Sequence, residues 1–176
     1  MRNRLSLLAA IVALPLASLS AQAPVAKRNS ITIQPLSALV GAYSLEFERA
    51  FGSSMTWGFG GTFWNFGDGN NELTYNSGDL KVRWYPGDTP LNGFSLGASF
   101  GFSSITGKSS AGIDETGSGT SLGALLEYQW LLGSSDSFAL VMGGGFKTLM
   151  VDDTKFSSGD FLASYPTGRF SIGYAF

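Results

Sequence analysis

Between Phe94 and Ser103 the residues alternate strictly: Phe94, Leu96, Ala98, Phe100 and Phe102 are interleaved with Ser95, Gly97, Ser99, Gly101 and Ser103. A period of two puts the apolar set on one face of a strand and the small set on the other, an arrangement no helix can sustain. The pattern returns near residues 121–132, where Leu122, Ala124, Leu126, Tyr128, Trp130 and Leu132 stand against Ser121, Gly123, Leu125, Glu127 and Gln129. It returns again at the C-terminal end, where Phe170, Ile172, Tyr174 and Phe176 stand against Arg169, Ser171, Gly173 and Ala175.

Turn signals divide the chain into eight such segments, at about 31–39, 41–50, 55–65, 74–86, 93–105, 119–132, 137–150 and 162–176. Three connections are short: 51–54, 87–92 and 133–136. Three are longer and rich in Gly, Asp and Ser: 65–73, 106–118 and 151–160. The first, near Val40-Gly41, reads as tight and breaks the alternation of short and long ends.

The bulky face of each segment could fill a soluble core or face lipid, and the other face decides between them. A water-facing surface carries many charges. Here it is mostly Gly, Ser and Ala, and the 24 glycines of the chain suit a narrow interior. These features predict an all-β fold, an eight-stranded antiparallel up-and-down transmembrane β-barrel with its apolar band outward. Strand edges cannot be left unpaired in lipid, so such a sheet closes.

The first 23 residues read as a separate element. Arg2 and Arg4 precede the apolar run Leu5 to Leu19, and Ala21-Gln22-Ala23 gives a small-x-small cleavage site. This is the layout of a signal peptide, leaving a barrel domain over 24–176. Together they predict export to the outer membrane of a Gram-negative cell envelope.

The ending "GRFSIGYAF" resembles the C-terminal assembly signal of bacterial outer-membrane barrels, polar-x-Gly-x-x-aromatic-x-aromatic. Arg169, Tyr174 and Phe176 match it, and Ser171 stands where the glycine usually is. The resemblance implies the barrel-assembly machinery and periplasmic chaperones as partners. Longer stretches resemble the DUF3575 family of small bacterial outer-membrane β-barrels: Leu39 to Ala50, Lys81 to Pro86, Gly93 to Gly97, Glu127 to Trp130 and Pro166 to Phe176. That resemblance implies location and fold, and no common activity.

On the predicted inward face lie Glu46, Glu48, Asp79, Lys81, Arg83, Glu127, Lys147 and Arg169, four acids and four bases. Buried charges need partners, so an interior polar network is expected here, filling a lumen that eight strands leave narrow. Arg49, near a strand end, falls at the interface instead, and Trp64 breaks the phase of Trp57, Phe59 and Phe63, calling for a bulge or an inward aromatic. Of Trp57, Trp64, Trp84, Trp130, Tyr43, Tyr128, Tyr165, Tyr174 and Phe176, some are expected in interfacial girdles. The outer connections carry Asp68, Glu72, Lys108, Asp114, Glu115, Asp152, Asp153, Lys155 and Asp160. This acidic surface is either simply solvated or bridged by divalent cations to lipopolysaccharide.

The absences exclude classes. The chain has no histidine and no cysteine, which removes the usual general base, the usual zinc ligands and any disulfide. Barrel-shaped lipid A deacylases and palmitoyltransferases rely on a histidine beside serine, and no Gly-x-Ser-x-Gly elbow occurs. With 13 acidic against 11 basic residues, two of the latter in the leader, no nucleic-acid footprint exists.

The expectation is therefore a non-enzymatic, cofactor-free and monomeric outer-membrane barrel, with lipid and lipopolysaccharide as surroundings. Its role would be structural or surface-interaction, with a plugged polar interior. The alternatives are a narrow pore or transporter for small or hydrophobic solutes, and a secreted soluble lipid-binding barrel.

Overall fold

The computed structural model describes residues 27–68, 71–108, 114–151 and 161–176. The signal peptide expected at 1–23 lies outside them. Eight strands follow one another: β1 (Asn29–Ile33), β2 (Ala42–Phe51), β3 (Met55–Asp68), β4 (Asn71–Trp84), β5 (Gly93–Lys108), β6 (Asp114–Leu132), β7 (Phe138–Val151) and β8 (Phe161–Ala175). Each is hydrogen-bonded to its sequence neighbour, and β1 pairs antiparallel with β8 from Ser30↔Ala175 to Ile33↔Ile172. The sheet is thus a closed, eight-stranded, antiparallel up-and-down barrel, as the alternation predicts.

Two boundaries differ from the sequence expectation. The first segment does not run as a strand over 31–39, because Pro35 cannot donate to a ladder. It instead opens the one-turn helix α1 (Pro35–Ala38), a position where its fixed φ and missing N–H are tolerated. The Ser37 hydroxyl donates to the Gln34 carbonyl at 2.8 Å. Gly41, at φ +79°, then turns the chain into β2. The first connection is therefore an eight-residue excursion, 34–41, rather than a tight turn.

The second difference is that β3 to β6 run well past the apolar stretches. Asp68, Glu72, Lys108, Asp114 and Glu115 lie on strands, not in loops. A polar cross-strand pair continues the ladder there, Thr106 with Thr116 at 3.1 Å. Such pairs stabilise a sheet without leaving a hydrophobic alternation to read. Asp152, Asp153, Lys155 and Asp160 lie outside the described residues.

One end of the barrel carries the short turns 52–54, 85–92 and 133–137 together with residues 27–28 and Phe176; we call it the turn end. The opposite, loop end carries α1. The outward face is apolar throughout its middle: Leu45, Phe59, Leu80, Phe102, Leu122, Leu126 and Phe146 are all exposed. Aromatic rings gather outward near the turn end, where Trp57 stands 6.0 Å from Phe47, Tyr128 4.4 Å from Trp130 and Tyr174 6.2 Å from Phe176. The buried apolar residues are few. Ala50, Tyr85, Leu91, Ala139, Val141 and Ala175 are all buried, and all lie at or near the turn end. Leu91 has a left-handed backbone, φ 70°, yet no exposed surface. That conformation costs roughly 1–2 kcal/mol for a non-glycine residue, which burial of the side chain, worth roughly 2 kcal/mol, offsets.

No bulge accommodates Trp64. The register is unbroken from β2 through β4, and Trp64 shares the inward phase of Gly60 and Thr62 at the loop end. Its indole N–H donates to the Val40 carbonyl at 2.9 Å, tying β3 to the first connection.

Candidate functional site: the charged interior

The barrel brings together side chains from β2, β4, β6, β7 and β8, and the register explains how they fit. Each of the eight charged residues faces a glycine across a neighbouring strand. Glu46 and Asp79 face Gly60, Glu48 and Lys81 face Gly58, and Arg83 faces Gly97. Glu127 and Arg169 both face Gly143, Lys147 faces Gly123, and Asp79 has Gly101 on its second side. These glycines supply volume: a Cβ on Gly97 would stand 3.0 Å from Arg83 Cγ, and one on Gly143 2.7 Å from Glu127 Cγ. Both fall below the separation at which carbon atoms attract.

Arg83 is the hub. Its Nη2 meets Glu46 Oε1 at 2.7 Å, its Nε meets Glu127 Oε2 at 2.6 Å, and its Nη1 lies 3.3 Å from Glu48 Oε2. Arg169 Nη1 lies 3.0 Å from Glu46 Oε1 and 3.1 Å from Glu127 Oε1. Its remaining donors reach Thr32 Oγ1 at 3.1 Å and Ser171 Oγ at 3.0 Å. Lys81 pairs with the second oxygen of Glu46. Six of the eight residues therefore form one connected network. Lys147 and Asp79 form a separate pair at 2.7 Å, toward the loop end.

Several members were not marked by the sequence. Thr56 and Tyr85 both donate to Glu48 Oε1, Tyr85 at 3.0 Å. Tyr85 follows β4 in the inward phase of Lys81 and Arg83, a readable signal that phasing the charged residues alone leaves unused. Replacing it by phenylalanine removes one neutral donor from a buried carboxylate. We expect Tyr85→Phe to lower unfolding stability by about 1.5–3 kcal/mol, measured by urea titration of the micelle-bound protein.

The residues of the C-terminal assembly pattern divide between the two faces. Arg169 and Ser171 point inward and are bonded to each other, whereas Tyr174 and Phe176 are exposed and outward. Toward the loop end a cavity of about 280 Å³ opens, with mixed polar and apolar walls that include Ser44, Thr62, Tyr75, Phe146, Lys147 and Tyr165.

Chemically the interior is a set of paired charges. Glu46, Asp79 and Glu127 each accept from a guanidinium or an ammonium group, whereas Glu48 accepts from the Thr56 and Tyr85 hydroxyls with Arg83 Nη1 3.3 Å away. Among the described residues, no group of three or more His, Cys, Asp or Glu is placed to hold a metal ion.

No family model matches the chain, and no curated protein sequence does. Among solved structures, the N-terminal β-barrel domain of Pseudomonas aeruginosa OprF is similar, with a TM-score of 0.47 and 12% identity over 85% of this chain and 98% of that one.

Proposed function

We propose that this chain is an outer-membrane barrel of the DUF3575 kind, with a structural or surface-interaction role and an interior that plugs its own lumen. The observation that carries the reading is the inversion of its two faces. Large apolar side chains stand outward around the barrel while charged and hydroxyl side chains are buried. A contiguous apolar surface of this extent is a liability in water. It suits a bilayer, which a strand crosses in about 9–11 tilted residues, and a soluble lipid-binding barrel would carry the opposite arrangement. Export by the signal peptide at 1–23, delivery by periplasmic chaperones, and insertion by the assembly machinery through Arg169, Ser171, Tyr174 and Phe176 belong to the same reading. So do lipid and lipopolysaccharide as surroundings.

Plugging rests on two successive layers. An ion travelling the axis must part the Arg83 and Arg169 pairs. It must then pass the turn end, where the buried side chains of Leu91, Tyr85 and Val141 take up volume. The role that fits such an interior is that of a rigid scaffold presenting its loop-end strands outside the cell.

Planar-bilayer recording of the refolded mature chain tests this. Wild-type protein, with insertion verified, is expected to give no stable current steps. Steps whose size changes in Glu127→Ala and Arg169→Ala would replace the plugged reading by a narrow pore lined by the charged interior.

A further inference from the structure

On the outward face Arg49 interrupts the apolar belt. Arg49 is exposed and projects in the phase of Leu45 and Phe47, opposite Asn29 on β1 and Trp57 on β3. Its position, two residues before the end of β2, places it among the turn-end aromatics Phe51, Trp57 and Trp84, all exposed. Lys27 and Arg28 lie at the same rim. The Arg28 carbonyl accepts the Ala50 N–H at 2.7 Å, which locks this segment beside Arg49. Among the described residues, no Asp or Glu side chain pairs with Lys27, Arg28 or Arg49, whereas Lys81, Arg83, Lys147 and Arg169 each have an acid partner.

We infer that this rim binds the phosphate of an anionic phospholipid in the leaflet at the turn end, through Arg49 assisted by Lys27 and Arg28. The inference rests on the outer-membrane reading above. Arg49 sits at headgroup depth, since lipid-facing arginine is tolerated near the interface and not at mid-belt. Its guanidinium matches a phosphate in shape as well as charge. Two further cations at the rim add an attraction that a zwitterionic headgroup answers far more weakly. The exposed Trp57 beside Arg49 offers an amphipathic ring at the same depth.

Native mass spectrometry of the folded barrel tests the site, using micelles doped equally with phosphatidylglycerol and phosphatidylethanolamine. Retention of phosphatidylglycerol over phosphatidylethanolamine is expected. The double variant Arg28→Gln/Arg49→Gln should lower phosphatidylglycerol retention about 5–10-fold and leave phosphatidylethanolamine unchanged. Lys155→Gln, which removes a like charge from the connection between β7 and β8, should have no such effect. Equal retention of both lipids, or an equal loss in Lys155→Gln, overturns the site while leaving the membrane reading intact. A chain that enters neither micelles nor bilayers overturns both. Heat-modifiable migration of the variants on gels checks that they fold.

Discussion

Replacing Arg83 with methionine is expected to lower the unfolding free energy of the barrel by about 3–5 kcal/mol. The side chain is 1% exposed and stands between three carboxylates. Methionine fills much of the same volume, so the loss isolates charge from packing. Glu46 keeps Lys81 and Arg169 as partners, and Glu127 keeps Arg169. Glu48 keeps only the hydroxyl donors Thr56 and Tyr85. A buried carboxylate held by neutral donors alone is the costly species. The outlying Lys147–Asp79 pair provides the comparison. Its side chains are more exposed, at 14% and 12%, and Lys147→Met should cost about 1 kcal/mol. Urea titration followed by tryptophan fluorescence measures both. Similar costs for the two variants would mean that water enters the network freely, and the plugged interior would fall with it.

How much of this was legible beforehand follows from what each level of structure depends on. Strand number and facing depend on a local period of two, so the sequence carried them through Phe94–Ser103 and the other alternating runs. All eight charged residues expected inside could be phased against their own bulky neighbours in the same way. Their pairing could not. Glu46 and Arg83 are 37 residues apart, Arg83 and Glu127 44 apart. Which of them meet is set by barrel register and stagger, a property of the closed sheet. Strand ends were misplaced for a related reason. Beyond the expected ends at 105 and 119, Thr106 and Thr116 continue the ladder with a hydroxyl pair that carries no alternation. At β1 the error was of another kind, since the apolar pattern ran on through Leu36 and Leu39 while Pro35 had already ended the ladder.

The matching of charge to glycine across strands yields the second large effect. Gly143 faces Glu127 on one side and Arg169 on the other. A Cβ there would stand 2.7 Å from both Cα and Cγ of Glu127 and closer still to the Leu126 carbonyl. Backbone on both strands would have to move, because the obstruction is not only the end of a flexible side chain. Gly143→Ala should therefore cost about 3 kcal/mol or leave no heat-resistant folded fraction. Gly78, also in a strand but outward, has nothing within 4 Å of the same added atom. Gly78→Ala should be neutral, or stabilising by about 0.5 kcal/mol through the unfolded chain. Helix and strand propensity scales treat the two substitutions alike, so the contrast reports interior space alone. If both variants unfold at the wild-type urea concentration, the lumen has room to spare around Glu127. The charges would then be solvated rather than packed, and the closed barrel would have to be reconsidered as a water-filled one.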